Sequence, residues 1–279
     1  QADLIVFSEL FLTGYPPQDL LLQADFLEAV EGTLAKILQL SQGHSQLALV
    51  VGLPWRENGR LFNSAVVLQN GEILAVQHKR KLNKFRLFDE TKYFSPGALT
   101  RPIALRNEVL GLVLGLELEF CPAQSFQKAG ISLIVNPAAV SFCKGENYRQ
   151  QKELQKAAAD LGVPGIFVNQ VGGADELIFP GESAVVNKKG ELGTVLPPFK
   201  TGNLLLDLEH ISKLELKTED STAQTYDALV LGLGDYVRKS GMSSIILGLS
   251  GGLDSAVVAV LAAEAVGPKN VWAVNMPGP

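Results

Sequence analysis

Short runs of Val, Ile and Leu alternate along the chain with longer stretches in which apolar residues recur every three or four positions. Such alternation marks strands and helices stacked in layers. The runs predict strands over residues 4–7, 47–52, 63–68, 73–78, 110–116, 133–136, 165–169 and 183–187. Asn70-Gly71, between the third and fourth runs, suits a tight hairpin turn, whose central residues need positive φ. Helices are predicted over 26–40, 146–161 and 222–239; in the last, Tyr226, Leu229, Val230, Leu233 and Val237 share one face. The pattern is that of an α/β protein with sheets covered by helices.

The character changes after residue 207. Residues 208–224 are more charged and less periodic, which predicts a linker, with a boundary near Glu215, between a unit at 1–207 and a second at 225–279. The chain opens on Gln1 almost directly into a strand and stops just after another, in "VWAVNMPGP". Both ends therefore predict a piece of something longer.

Composition narrows the chemistry. With 47% hydrophobic and 19% charged residues and a net charge of −5, the 279-residue chain can bury a core, which excludes a disordered or collagen-like protein. No run of about 18 apolar residues and no basic-then-apolar leader is present, so a cytoplasmic protein without membrane partners is expected. The acidic balance argues against nucleic acid and for small molecules as partners. Cys121 and Cys143 with His44, His78 and His210 form no metal-ligand spacing, so no metal site is expected.

One loop stands out. A β run over 245–249 leads into Ser250-Gly251-Gly252-Leu253-Asp254-Ser255, followed at once by an Ala/Val-rich helix. Glycines let backbone N–H groups approach an anion, the serines add hydroxyls, and the helix dipole favours negative charge. No Gly-Lys-Ser/Thr triplet is present, so this is not a Walker A loop. The run instead resembles the Ser-Gly-Gly-x-Asp-Ser pyrophosphate loop of ATP pyrophosphatases. That resemblance makes Gly248, Leu249, Ser250, Gly251, Gly252, Leu253, Asp254 and Ser255 candidate ATP-binding residues. Asp254 fits two roles, a helix cap and a group facing the nucleotide.

Residues 1 to about 205 carry a second set of motifs: "VFSELFLTGYPPQDLL", "HKRKLNKFRLFDETKYFSPG" and "VNQVGGADELIFPGES". These are similar to blocks of the nitrilase superfamily, whose members hydrolyse amides with a Glu, Lys, Cys triad. The resemblance makes Glu9 the base and Lys79 the cation that steadies an oxyanion. It also places Leu116, in "GLELEF", where the family's glutaminase domains carry the cysteine of Ile-Cys-Glu-Asp-x-Trp. A leucine forms no thioester, so the covalent route is closed. Cys121, five residues on and past the expected strand end, is displaced from the nucleophile's place. It and Cys143 are expected to be small, semi-buried thiols. Phe85 stands for the family's glutamine-binding tyrosine and Ala138 for a serine, while Lys144 matches a lysine; this substrate pocket departs from the family pattern.

A nitrilase-type unit followed by a pyrophosphate loop, with "AVNMPGP" beyond it, resembles the order of the glutamine-dependent NAD(+) synthetase family. The resemblance implies a nitrilase-type α-β-β-α sandwich followed by the start of a Rossmann-like ATP-pyrophosphatase domain. It implies ATP with Mg2+, deamido-NAD, and ammonia or glutamine as small-molecule partners, and a homo-oligomer. Three functional readings stay open: a synthetase fed by free ammonia beside an inactive glutaminase half, a glutaminase working through another nucleophile, and a non-catalytic scaffold or oligomerisation fragment.

Overall fold

The computed structural model describes residues 2–84, 88–120, 123–144, 148–214 and 221–276. The expected boundary at Glu215, and also Phe85, Cys121 and Glu146, lie outside the described residues. Strands are β1 Leu4–Val6, β2 Ala48–Glu57, β3 Arg60–Gln69, β4 Glu72–His78, β5 Ile103–Leu105, β6 Glu108–Leu112 and β7 Leu133–Ala138. They continue with β8 Gly165–Asn169, β9 Val171–Ala174, β10 Leu177–Pro180, β11 Ala184–Val186, β12 Leu192–Val195, β13 Ile245–Gly248 and β14 Val271–Val274. Helices are α1 Ala24–Gln42, α2 Ala123–Ala129, α3 Arg149–Leu161, α4 Ser221–Lys239 and α5 Leu253–Val266.

Two large sheets form, one of order β1-β2-β3-β4 and one of order β12-β11-β8-β7-β6-β5. Their facing sides make one core, in which Val50 and Val67 of the first sheet meet Leu110, Leu112 and Val135 of the second. The alternate residues Val51 and Leu68 point the other way, onto Val30 and Leu34 of α1. On the outer side of the second sheet, Ile134 and Phe167 pack with Phe126 of α2 and Leu154 of α3. Helix, sheet, sheet and helix thus stack in four layers. Strands covered on both faces must be apolar on both, which explains why β2 and β3 read as continuous runs.

The hairpin expected at Asn70-Gly71 joins β3 to β4, with φ of +51° and +80° at those residues. A separate parallel pair, β13 and β14, carries α5 between its strands. The described helices include none long and apolar enough to cross a membrane.

Three readings need correction. The strand expected over 110–116 ends at Leu112, and Gly115–Phe120 form a 3-10 helix. Gly115 takes φ +57°, which turns the chain out of the sheet. Helix α4 buries the predicted face only in part: Val237 is buried and Val230 and Leu233 are half-buried. Tyr226 and Leu229 are exposed, whereas Ala228 and Asp235, outside that face, are buried, because the helix packs partly through its small residues. Finally, β9 and β10 form an antiparallel ribbon that the periodicity did not reveal, since its strands are four residues each and two of the four residues of β9 are glycine.

Candidate functional site

Glu9 follows β1, and Lys79 is the first residue after β4, so both project at one end of the first sheet. Their side chains meet in the interior, Lys79 Nζ 2.6 Å from Glu9 Oε1, with relative exposures of 0% and 1%. Glu90, fully buried, holds the same ammonium at 2.9 Å. Asn63 donates through Nδ2 to both carboxylates, at 2.7 Å to Glu9 and 2.8 Å to Glu90. The second oxygen of Glu9 accepts the Ala139 N–H at 3.0 Å, and Glu90 accepts the Asn83 N–H at 2.6 Å. The Tyr15 ring centre lies 5.9 Å from Lys79 Nζ.

The electrostatics follow from two carboxylates sharing one ammonium. Burial works against the charged lysine, but Glu9 and Glu90 outweigh it and hold its pKa above the ordinary value. Burial raises the Glu9 pKa; Lys79 offsets part of this, and Glu90, a like charge competing for the same cation, adds to it. The result is a protonated amine beside a carboxylate biased toward taking up a proton.

Residue 116 reaches this cluster through its neighbours. A Cβ placed on Gly115 would lie 2.9 Å from both Glu9 Oε2 and Lys79 Nζ, so only glycine lets the backbone pass so close to the ion pair. Asn136 fixes that backbone by donating to the carbonyls of Val113 and Gly115, at 3.0 and 3.1 Å. Glu117 ties it to the segment after Lys79: its carboxylate accepts the N–H groups of Arg80, of Lys81 at 2.7 Å and of Leu114 at 3.2 Å. Burial raises the Glu117 pKa, and those backbone donors offset only part of the shift. Leu116, half-buried, is the next residue along from this contact and offers no lone pair for attack.

A second candidate lies on the smaller sheet. After β13 the chain passes through Leu249, Ser250 and Gly251 to Gly252, the N-cap of α5, which provides no side-chain cap. Ser250 and Ser255 hydroxyls stand 3.1 Å apart, and Ser255 Oγ donates to the Gly252 carbonyl at 3.0 Å. Gly251 takes φ +84°, and a Cβ there would meet nothing within 4 Å. Open space thus faces an uncapped helix N-terminus, which suits an anion. Because Gly252 holds the cap position, Asp254 lies in the first helical turn, exposed, rather than at the cap.

Residues 1–212 match the carbon-nitrogen hydrolase family. The chain belongs to that family. Residues 225–279 match a second family, NAD synthase. The chain is 36% identical over 303 residues to the glutamine-dependent NAD(+) synthetase of Synechocystis sp., covering all of this chain and 54% of that protein. It superposes with a TM-score of 0.88 and 30% identity on the glutamine-dependent NAD+ synthetase of Acinetobacter baumannii solved with adenosine diphosphate, covering 99% of this chain and 53% of the other. A point mutant of the Nesterenkonia AN1 amidase from the nitrilase superfamily matches 71% of this chain and 75% of its own, at TM-score 0.62 and 25% identity. The chain spans about half the length of the synthetases it matches. Its fold is that of the nitrilase superfamily followed by the start of an NAD synthase domain.

Within the carbon-nitrogen hydrolase unit, Glu9, Lys79 and the backbone leading to Leu116 converge. Ala138 joins them through its main chain, its carbonyl accepting the Glu9 N–H at 3.4 Å. Lys144 is exposed on the loop after β7, whereas the Glu9–Lys79 pair is buried. Cys143, expected to be semi-buried, is exposed, because the chain has left the core after Ala139. Sequence reasoning missed Asn63, Glu90 and Glu117 as members of the cluster. Glu90 stood in plain view inside "FDE", and Asn63 was read only as the first residue of an apolar strand.

Proposed function

We propose that this chain is part of an enzyme that amidates deamido-NAD to NAD at the expense of ATP, and that its carbon-nitrogen hydrolase half does not hydrolyse glutamine. In this reading ATP and deamido-NAD give an adenylated intermediate and pyrophosphate; ammonia then attacks the activated carbonyl, and AMP leaves. Gly248, Leu249, Ser250, Gly251, Gly252, Leu253, Asp254 and Ser255 hold the phosphates, through backbone N–H groups, the two hydroxyls and the α5 dipole. The observation that carries the reading is the pairing, in one chain, of this uncapped glycine loop within the NAD synthase match and a leucine beside the Glu9–Lys79 pair.

Among the described residues no group of three or more His, Cys, Asp or Glu side chains could hold a metal ion. In this reading Mg2+ would come with the ATP phosphates, with Asp254 as the nearby carboxylate on the chain, and would supply charge neutralisation there. Phe85, Ala138 and Lys144 mark where glutamine binds in the resembling family. The losses at Phe85 and Ala138 remove a hydroxyl each from that pocket. The same reading gives a cytoplasmic homo-oligomer acting on small molecules alone.

The test supplies the intact natural protein with deamido-NAD, ATP and Mg2+, and compares ammonium with glutamine as the nitrogen donor. NAD from ammonium alone is the expected result. Glutamine-supported NAD that disappears on thiol alkylation overturns the inactive half; no NAD from either donor overturns the synthetase.

A further inference from the structure

The "VGGADELIFPG" stretch forms the β9–β10 ribbon, which pairs with neither large sheet. The chemistry proposed above leaves it without a task. Yet α4 lies across it, and both main-chain groups of Gly173 are taken by α4 side chains. Asp235, 7% exposed, accepts the Gly173 N–H at 2.9 Å, and Lys239 Nζ donates to the Gly173 carbonyl at 2.5 Å. Asp235 is itself held by an ion pair with Arg238. The ribbon is anchored at its base: Gln170, the residue before β9, accepts the Tyr15 N–H at 3.2 Å and donates to the Tyr15 carbonyl at 3.1 Å.

Helix α4 carries glycines at 232 and 234, where glycine weakens a helix. Both stand at close contacts. A Cβ on Gly232 would fall 2.8 Å from Ile178 Cδ1 of the ribbon, and one on Gly234 would fall 3.2 Å from the Ala265 carbonyl of α5. Two residues turn a helix by about 200°, so these glycines serve opposite faces. Helix α4 is thus pressed between the ribbon and α5, and α5 begins at the glycine loop.

We propose that the β9–β10 ribbon is an internal docking platform for α4, and that Asp235 is a positioning residue which, through α4 and α5, sets where the glycine loop stands. This gives the carbon-nitrogen hydrolase half a task that needs no nucleophile. The consequence for ATP rests on the nucleotide reading above; the docking itself does not.

The experiment uses the intact natural protein and the variants Asp235→Ala, Asp235→Asn and Gly232→Val. Amide hydrogen exchange is followed in peptides covering 171–180, 250–256 and, as a reference, 149–161, together with kcat and KM for ATP with ammonium as donor. Asp235→Ala and Gly232→Val should speed exchange at least tenfold in the first two peptides and raise KM for ATP at least fivefold, with kcat within twofold. Asp235→Asn keeps an oxygen that accepts the Gly173 N–H, so it should stay within threefold of the natural protein throughout. Unchanged exchange in 171–180 overturns the docking. Faster exchange there with 250–256 and KM unmoved overturns the positioning role. An equal rise in 149–161 also overturns it, because Asp235 then merely supports the whole fold. If the natural protein makes no NAD, the nucleotide reading fails, and the exchange in the two peptides still decides the docking.

Discussion

Lys79 Nζ lies 2.6 Å from Glu9 Oε1 in a setting where neither side chain has more than 1% of its surface exposed. A buried ammonium held by two carboxylates is stable only while all three groups remain, because each alone would carry an uncompensated charge into a low-dielectric interior. This arrangement stands close to a residue, Leu116, that cannot act as a nucleophile. The ion cluster is therefore a structural keystone of the carbon-nitrogen hydrolase half, whatever chemistry it supports.

Replacing Lys79 by Ala strands Glu9 and Glu90 together in the interior. The expected cost is about 3–5 kcal/mol of folding stability. Urea unfolding at neutral pH measures it, and a loss below about 1 kcal/mol would mean that water already reaches the cluster.

Leu116→Cys places a thiol on the residue that follows Gly115, whose backbone passes the Glu9–Lys79 pair. Glutamine hydrolysis should become detectable as glutamate release, yet remain at least about tenfold below that of a family member with the full motif, because Phe85 and Ala138 lack hydroxyls. Full activity in the single variant would show that those two positions contribute little.

Gly251 holds φ +84° at the open side of the loop between β13 and α5, the proposed phosphate site. A valine there is strained and projects into the open space where the anion is proposed to sit. Gly251→Val should weaken binding of MgATP, read by titration calorimetry on the intact protein, by about tenfold or more. An unchanged dissociation constant would remove this loop from the nucleotide site.

Glu117 supplies a pH dependence with a definite sign. Its pKa in the fold lies above the ordinary 4.5 because it is buried. The folded protein therefore keeps a proton on Glu117 where the unfolded chain has lost it. Its contribution is fully present below the unfolded value and is lost as pH rises through the raised one. The natural protein should lose stability relative to Glu117→Gln as pH climbs from about 4.5 through the raised value toward neutrality. Paired urea midpoints across that range test this; a gap that widens in favour of the natural protein would reverse the sign.

Much of the molecule was legible before folding. Apolar runs at β2 and β3, the Asn70-Gly71 turn and the strand, glycine loop and helix order around 245–266 are local patterns, set by covalent spacing and backbone sterics. The short strands β9 and β10 were not legible. Each has too few residues to show a period, and the two glycines of β9 supply no side chain to count. The face of α4 was legible only at Val237, Val230 and Leu233 for a related reason: what a helix buries depends on its neighbours, and here the neighbours admit Gly232 and Ala228 rather than Tyr226 and Leu229.

The sequence alone determined the layered α/β class and the strand, glycine loop and helix order around 245–266, since each is a matter of which residue types follow one another. Only the tertiary structure decided that Glu9, Asn63, Lys79, Glu90 and the backbone at Gly115 meet, and that Asp235 clasps Gly173. Those encounters join residues far apart along the chain. They depend on how sheet ends and helices pack in three dimensions, which local periodicity does not encode.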